Sequence, residues 1–285
     1  MKNGVYTALV TPFNQNNKVD YNALKKLIKI QINARVSGIV ILGTTAESPT
    51  LSSREKRQII EFVLPIVAGK LEVWVGCGTN STATTLRTIK KLNKLQISGI
   101  LLSLPAYNKP NFSGLSEHIQ KCCAASMHPI MLYNVPGRTA LNLSVNELID
   151  LCTSPQIVAI KEASGNLELF HALVSKTNKK IFSGNDPQLM ESLKLGGSGI
   201  VSVASNAFPK QMVKICNLFF FRHKAAAALS FQKLEPLLSV LFLETNPVPI
   251  KYILQKQEIC SAIVRLPLGP LSEKSKRTID SLTNC

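Results

Sequence analysis

The hydrophobic positions of this chain fall into short apolar runs separated by longer amphipathic stretches, and the two alternate as far as residue 205. The runs are Val5 to Val10, Ser37 to Gly43, Leu71 to Val75, Gly99 to Ser103, Pro129 to Tyr133, Ile157 to Lys161, Lys180 to Ser183 and Ser198 to Val203. Each has the length of a strand and lacks a regular polar face, the pattern of a strand covered on both sides. Between the runs, apolar side chains recur at helical spacing, as with Leu24, Leu27, Ile28 and Ile32 after Asp20. Ser52-x-x-Glu55 and Ser144-x-x-Glu147 are capping boxes. Asn80 or Ser81 caps a third helix, and others begin near Ser116, at Asn166 and at Asp186-Pro187, where proline suits a first helical turn.

Eight strands alternating with helices, at a pitch of ~25 residues, predict an α/β chain folded as a (β/α)8 TIM barrel with a C-terminal helical extension. Residues 1–205 form the barrel that carries the catalytic site in this reading, and 206–285 a helical region that includes the last barrel helix. Phe208 to Phe221, Ala225 to Phe242, Val248 to Gln255 and Ser272 to Leu282 are its expected helices. A doubly wound open sheet is the rival. Its dinucleotide loop would have to be Gly76-x-Gly78, which lacks the third glycine and follows the third run, not the first.

Composition narrows the function classes. With 285 residues, 45% of them hydrophobic, the chain can bury a large core. No apolar run approaches the ~18 residues of a membrane span, and Met1-Lys2-Asn3 leads into a strand instead of a signal-peptide core. A soluble, cytoplasmic protein with no membrane partner is expected. Seven cysteines without a C-x-x-C pair, two of them adjacent (Cys122, Cys123), read as reduced core residues. His118, His128, His171 and His223 have no ligand spacing, so no metal is expected. The net charge of +16 is spread over helix-like segments, for example Lys25, Lys26 and Lys29, and is not gathered in one arm. That distribution is a solvated surface able to attract small anions, and no nucleic-acid partner is expected.

A barrel places its chemistry at the C-terminal ends of its strands. The sixth run ends in Lys161 and passes at once to Glu162-Ala163-Ser164-Gly165-Asn166. Burial there would lower the amine from ~10.4 towards ~7–8, at about 4 kcal/mol, and leave it free to form an imine with a ketone. On that stretch alone, a lysine that snorkels into water is the plainer account. The other strand ends change the balance. The second run delivers Thr44 and Thr45, and the fifth delivers Tyr133 and Asn134. A tyrosine hydroxyl can carry protons for the carbinolamine, and hydroxyl and backbone donors can hold a carboxylate. Arg138, in Tyr133-Asn134-Val135-Pro136-Gly137-Arg138-Thr139, could clamp a second carboxylate with its planar fork. Each residue alone has a structural explanation; their convergence on one rim favours a site.

Gly43-Thr44-Thr45-Ala46-Glu47-Ser48, the Tyr133 to Thr139 segment, Ile160-Lys161-Glu162-Ala163-Ser164-Gly165-Asn166 and Asn246-Pro247-Val248-Pro249-Ile250-Lys251 resemble the dihydrodipicolinate synthase family, also called 4-hydroxy-tetrahydrodipicolinate synthases. The likeness runs from Thr7-Ala8-Leu9-Val10-Thr11-Pro12-Phe13 to Leu266-Pro267-Leu268. It implies a barrel with a helical C-terminal domain, assembled as a homotetramer of two tight dimers. It implies a class I lyase of the diaminopimelate and lysine pathway, working without a cofactor. Lys161 would form a Schiff base with pyruvate, whose enamine adds to aspartate 4-semialdehyde. Tyr133, Thr44 and Tyr107 would relay protons, Tyr107 reaching in from a neighbouring subunit. Thr45 would hold the pyruvate carboxylate, Arg138 that of the semialdehyde, and Val201 would lend a backbone carbonyl near the lysine.

The N-acetylneuraminate lyases and 2-keto-3-deoxy sugar-acid aldolases share the lysine and tyrosine and are the alternative. The Thr44-Thr45 pair and Arg138 favour the synthase, since a dicarboxylate-forming reaction needs a second cation and a polyol tail does not. Some positions depart from the family pattern. Ala46 stands where glycine is common, which bears on any need for positive φ there. Ala106 replaces a tyrosine, and Ser53, Lys56 and Thr84 stand where lysine-sensitive members carry histidine or glutamate, although Ser48 and Asn80 match. An added cation and a lost carboxylate predict weak or absent inhibition by L-lysine.

Overall fold

In a computed structural model of the chain, which describes residues 1–283, the eight apolar runs are the parallel strands of one closed barrel, in the order β1 to β8. The strands are β1 (Gly4–Ala8), β2 (Gly38–Ile41), β3 (Glu72–Cys77), β4 (Gly99–Ser103), β5 (Ile130–Asn134), β6 (Ile157–Glu162), β7 (Lys180–Ser183) and β8 (Gly199–Ser202). Alternating with them are α1 (Tyr21–Ala34), α2 (Ser53–Val67), α3 (Thr82–Leu92), α4 (Phe112–Ala125), α5 (Pro136–Thr139), α6 (Val145–Leu151), α7 (Leu167–Lys176) and α8 (Leu189–Lys194). After β8 come α9 (Pro209–Phe220), α10 (Lys224–Val240), α11 (Val248–Lys256) and α12 (Glu273–Thr283). The barrel and its C-terminal helices are those expected from the hydrophobic pattern.

The caps explain where helices begin. Ser52 and Ser144 make the expected capping boxes with Glu55 and Glu147. Ser81 caps α3, its hydroxyl accepting from the Thr84 N–H. The helix expected near Ser116 starts a turn earlier, because Asn111 Oδ1 accepts from Gly114 N at 3.0 Å. At Asp186-Pro187 the first turn is a 3₁₀ turn over Asp186–Gln188, and the α-helix begins only at Leu189.

The chain packs as two compact units. The first comprises Met1–Asn3 and Val73–Val201. In it β5 and β6 are offset by one residue after Ile130: Ile130 faces Ile157, Met131 faces Ala159, and Val158 is passed over. That offset sets the side-chain alternation of the second half of β6, so that Tyr133 stands opposite Lys161 and Asn134 opposite Glu162.

The second unit comprises Gly4–Glu72 and the chain from Ser202 onward. Buried polar groups tie β1 to α1 and to the turn after β8. Thr7 Oγ1 donates to Gln31 Oε1 at 2.7 Å, Gln31 Nε2 donates to the Ser205 carbonyl at 3.1 Å, and Ser205 Oγ donates to Thr7 Oγ1 at 2.9 Å. Asn206 Nδ2 donates to the Ala8 carbonyl and its Oδ1 accepts from Val10 N, which ends β1 at Ala8, two residues short of the apolar run. A closed polar set of this kind avoids the penalty of unsatisfied burial.

Cys77, Cys122, Cys123, Cys152 and Cys216 are buried thiols, and Cys260 is half-buried. Burial pushes Cys122, Cys152 and Cys216 up to about 12, where the reactive thiolate is scarce. No helix among the described residues is long and apolar enough to cross a membrane.

Candidate active site

Lys161 lies one residue before the end of β6, with 6% of its surface exposed. Its Nζ is 4.2 Å from the centroid of the Tyr133 ring on the adjacent strand. The pair is therefore brought together by strand register, not by a flexible loop. Gly184, just past β7, is part of the same arrangement. A Cβ at that position would lie 2.9 Å from Lys161 Cε and 2.5 Å from Ala163 Cβ, so only glycine leaves room for the lysine stem. Nothing in the apolar pattern pointed to this glycine.

Side chains alternate along a strand, so the next residues, Asn134 and Glu162, leave from the opposite side of the sheet. Asn134 Nδ2 donates to Glu162 Oε2 at 2.7 Å, and the Ser164 N–H donates to Glu162 Oε1 at 2.5 Å. Both residues are buried, and burial raises the Glu162 carboxyl above its ordinary value, against the pull of those donors. Asn134 Oδ1 is buried without a hydrogen-bond partner among the described residues. This strap locks the ends of β5 and β6 together and so holds Tyr133 and Lys161 in register. Asn134 reads from sequence as one of the strand-end residues; its bond to Glu162 could not be seen there.

The remaining expected residues of this unit differ in setting. Val201 is fully buried within β8. Arg138 is an exposed residue of the short helix α5, which proline opens at its first position. Tyr107 is 88% exposed, with φ of +78°, in the loop between β4 and α4. It does not pack with the buried Lys161–Tyr133 pair of its own chain. The loop is tethered beside it by Asn108 Nδ2, which donates to the Asn80 carbonyl at 2.8 Å.

In the second unit, the turn after β2 is closed by Ala46 N to Gly43 O at 3.2 Å and Glu47 N to Thr44 O at 3.0 Å. Thr44 is half-buried and Thr45 is 3% exposed. The positive φ values of this segment fall at Leu42 and Glu47, at 56° and 54°, and not at Ala46, so alanine is accommodated there. Asn246 Nδ2 donates to Thr45 Oγ1 at 2.9 Å. Two residues on, Glu47 is fully enclosed: Lys251 Nζ lies 2.5 Å from Oε1, and Arg265 N donates to Oε2 at 2.8 Å. Lys251 also donates to the Ile263 carbonyl at 2.9 Å and sits 4.2 Å over the Phe13 ring. Burial pushes Lys251 below its ordinary value, against the opposing pull of Glu47. Arg265 continues outward to grip Glu55 in two-pronged fashion, at 2.5 and 3.1 Å, and holds that carboxyl down at about 2. The Asn246 to Lys251 segment stood out in the sequence, but the partners of its side chains did not.

The groove between α9 and α10, about 350 Å³ and lined by Phe208, Leu229 and Lys233 among others, holds none of these residues. Among the described residues, no three His, Cys, Asp or Glu side chains gather as metal ligands.

A closed parallel barrel with a buried lysine and its tyrosine neighbour at strand ends defines the class, a (β/α)8-barrel enzyme. The chain belongs to the dihydrodipicolinate synthetase family, whose model matches residues 1–284. It is 40% identical, over 275 residues, to the 4-hydroxy-tetrahydrodipicolinate synthase of Leptospira biflexa, covering 96% of this chain and 93% of that one. To the enzyme of that name from Bacillus subtilis it is 38% identical over 280 residues, covering 97% of each. Among solved structures, dihydrodipicolinate synthase from Thermotoga maritima superposes with a TM-score of 0.96 at 37% identity, covering 100% of this chain and 98% of that one. The enzyme from Cyanidioschyzon merolae with lysine bound gives 0.95 at 34% identity, covering 99% and 97%. These relatives support the synthase reading, not the sugar-acid lyase alternative.

Proposed function

We propose that this chain condenses pyruvate with L-aspartate 4-semialdehyde, the 4-hydroxy-tetrahydrodipicolinate synthase reaction of diaminopimelate and lysine synthesis in the cytoplasm, through an imine on Lys161. The observation that carries the reading is the buried Lys161 amine held 4.2 Å from the Tyr133 ring. The amine adds to the C2 carbonyl of pyruvate, and water leaves as the carbinolamine collapses to the imine. The protonated imine is the electron sink, so no cofactor or metal is required. Loss of a C3 proton gives the enamine, which forms the new carbon–carbon bond to the aldehyde carbon. The amino group of the adduct then attacks the imine carbon, closing the ring and releasing Lys161.

Tyr133, Thr44 and Tyr107 carry the protons of these steps. The 88% exposure of Tyr107 suits a side chain completed by a neighbouring copy, and a homotetramer of two tight dimers is the assembly we propose. Thr45 and nearby backbone N–H groups hold the pyruvate carboxylate, and the Val201 carbonyl lies near the amine. Arg138, exposed on α5, receives the semialdehyde carboxylate. L-lysine is a weak inhibitor or none, for Ser53, Lys56, Thr84 and Ala106 supply no carboxylate for a cationic ligand.

The test is borohydride reduction in the presence of pyruvate, followed by peptide mass spectrometry. A reduced three-carbon adduct on Lys161, absent from Lys161→Ala, is expected; an unmodified Lys161 would overturn the reading. Product formation from pyruvate with aspartate semialdehyde should exceed cleavage of N-acetylneuraminate or 2-keto-3-deoxygluconate.

A further inference from the structure

Glu162, the last residue of β6, gathers the ends of three strands. Its carboxylate accepts from Asn134 Nδ2 at the end of β5, at 2.7 Å, and from the Ser164 N–H at 2.5 Å, while its main-chain carbonyl accepts from Gly184 N, just past β7, at 2.7 Å. The Asn134 carbonyl accepts from Ala163 N at 3.0 Å, so the ends of β5 and β6 are joined by side chain and main chain alike. The link does not depend on which way the Asn134 amide is turned. Its Nδ2 donates to a carboxylate, and its Oδ1, which has no partner among the described residues, accepts from a protonated carboxyl once the amide is reversed. The strap therefore persists in either protonation state of Glu162.

Lys161 and Tyr133 are held by different means. The Lys161 stem lies against Gly184, where a Cβ would come within 2.9 Å of Cε. Tyr133 directly precedes Asn134, and its ring sits 4.2 Å from the Lys161 amine. Its position relative to the amine therefore follows from where Asn134 is tied. Dehydration of the carbinolamine is the step with most to lose: the departing oxygen takes the Tyr133 proton, the C–O bond breaks, water leaves, and the nitrogen lone pair closes the protonated imine beside a phenolate. A displacement of about 1 Å at such a step costs on the order of 100-fold.

We infer that Glu162 is a positioning residue for imine formation: through Asn134 it sets where the Tyr133 hydroxyl stands relative to the Lys161 amine. Side-chain alternation puts the Glu162 carboxyl and the Asn134 amide on the opposite side of the sheet from the reacting atoms, so they act through Tyr133 without touching the substrate. The inference rests on the proposed imine at Lys161 and on Tyr133 as its proton donor.

Rapid quenching of the reaction with pyruvate into borohydride, with the Lys161 adduct followed by peptide mass spectrometry, reads both the rate and the final extent of imine formation. Glu162→Ala should slow the rate by about 10- to 100-fold. It should leave the final extent unchanged, because a displaced proton donor alters a rate and not an equilibrium. Glu162→Gln should bring the rate back to within about threefold of the unsubstituted enzyme, since its amide carbonyl accepts from the Ser164 N–H and its NH2 donates to Asn134 Oδ1. Tyr133→Phe should slow the rate by itself, and adding Glu162→Ala should slow it little further, for no hydroxyl is then left to place. If Glu162→Ala does not fold, Asn134→Ala breaks the same strap from β5 and carries the same comparison with Tyr133→Phe. An unchanged rate in the strap variant, a lowered final extent, no rescue by glutamine, or losses that multiply in the combination with Tyr133→Phe would overturn the inference. Two controls separate it from the reading beneath it. A Lys161 adduct that forms in the unsubstituted enzyme and forms slowly in Tyr133→Phe upholds the proposed chemistry whatever the strap variants do. No adduct in the unsubstituted enzyme, or an unchanged rate in Tyr133→Phe, strikes that chemistry and this inference with it.

Discussion

Replacing Lys251 by methionine removes a cation from a site with no exposure while nearly preserving side-chain volume. What is left behind matters more than what is removed. Glu47 would keep the Arg265 N–H at 2.8 Å and would remain a carboxylate cut off from water. Breaking a buried pair from one side costs about 3–5 kcal/mol, chiefly because the surviving charge is stranded. A chain of 285 residues unfolds with an entropy of roughly 0.6 kcal/mol per kelvin, so Tm should fall by roughly 5–8 °C. Removing the second charge as well, in Lys251→Met/Glu47→Leu, relieves that penalty and should recover at least half of the loss. The Arg265 N–H then loses its acceptor, which limits the recovery. Thermal unfolding of the unsubstituted chain, both single variants and the double variant closes the cycle. A loss below about 1 kcal/mol in Lys251→Met, or single effects that simply add in the double variant, would show that the two charges are not coupled as described.

Three further outcomes are expected. Gly184→Ala would press a methyl group against Lys161 Cε, 2.9 Å away, and should lower the rate of adduct formation by about 100-fold while costing about 1–3 kcal/mol of stability; wild-type trapping kinetics would refute it. Because burial raises the Glu162 carboxyl in the folded chain, its favourable contribution is complete below the ordinary value of 4.5 and is lost as pH rises through the higher folded value. Urea midpoints from pH 4.5 to 7 should therefore decline in the unsubstituted chain relative to Glu162→Gln, and parallel profiles would show the carboxyl to be unperturbed. Finally, activity should be nearly unchanged in millimolar L-lysine, and strong inhibition would mean that Lys56 is turned away from the ligand or compensated by its neighbours.

What could be read directly from the chain was whatever announces itself along one segment. Eight apolar runs give eight strands because a strand covered on both faces must be apolar throughout, and Ser52-x-x-Glu55 and Ser144-x-x-Glu147 give helix starts because both partners of a capping box lie within one turn. Lys161 and Tyr133 were legible for the same reason: a polar residue closing an apolar run marks a strand end, and strand ends in a barrel share a rim. The support around them is different in kind. Lys251 meets Glu47 across 204 positions and Asn246 meets Thr45 across 201, so no window of sequence contains both partners. Gly184 is informative only when the lysine stem is seen beside it, and the offset that passes over Val158 leaves no mark on the apolar run.

The separation between legible and hidden residues has a physical basis. Residues that touch a substrate are constrained by chemistry, so an amine, a phenol and a hydroxyl pair suffice to suggest imine formation on a small keto acid. The groups that orient them are constrained only by geometry, and many side chains could in principle do the same work. Here that work falls to a buried lysine, a glutamate with positive φ and the strap between Asn134 and Glu162. Substitution of Asn134 or Glu162 therefore tests position apart from chemistry, because the two leave from the side of the sheet opposite Tyr133 and Lys161 and meet only each other and the Ser164 N–H.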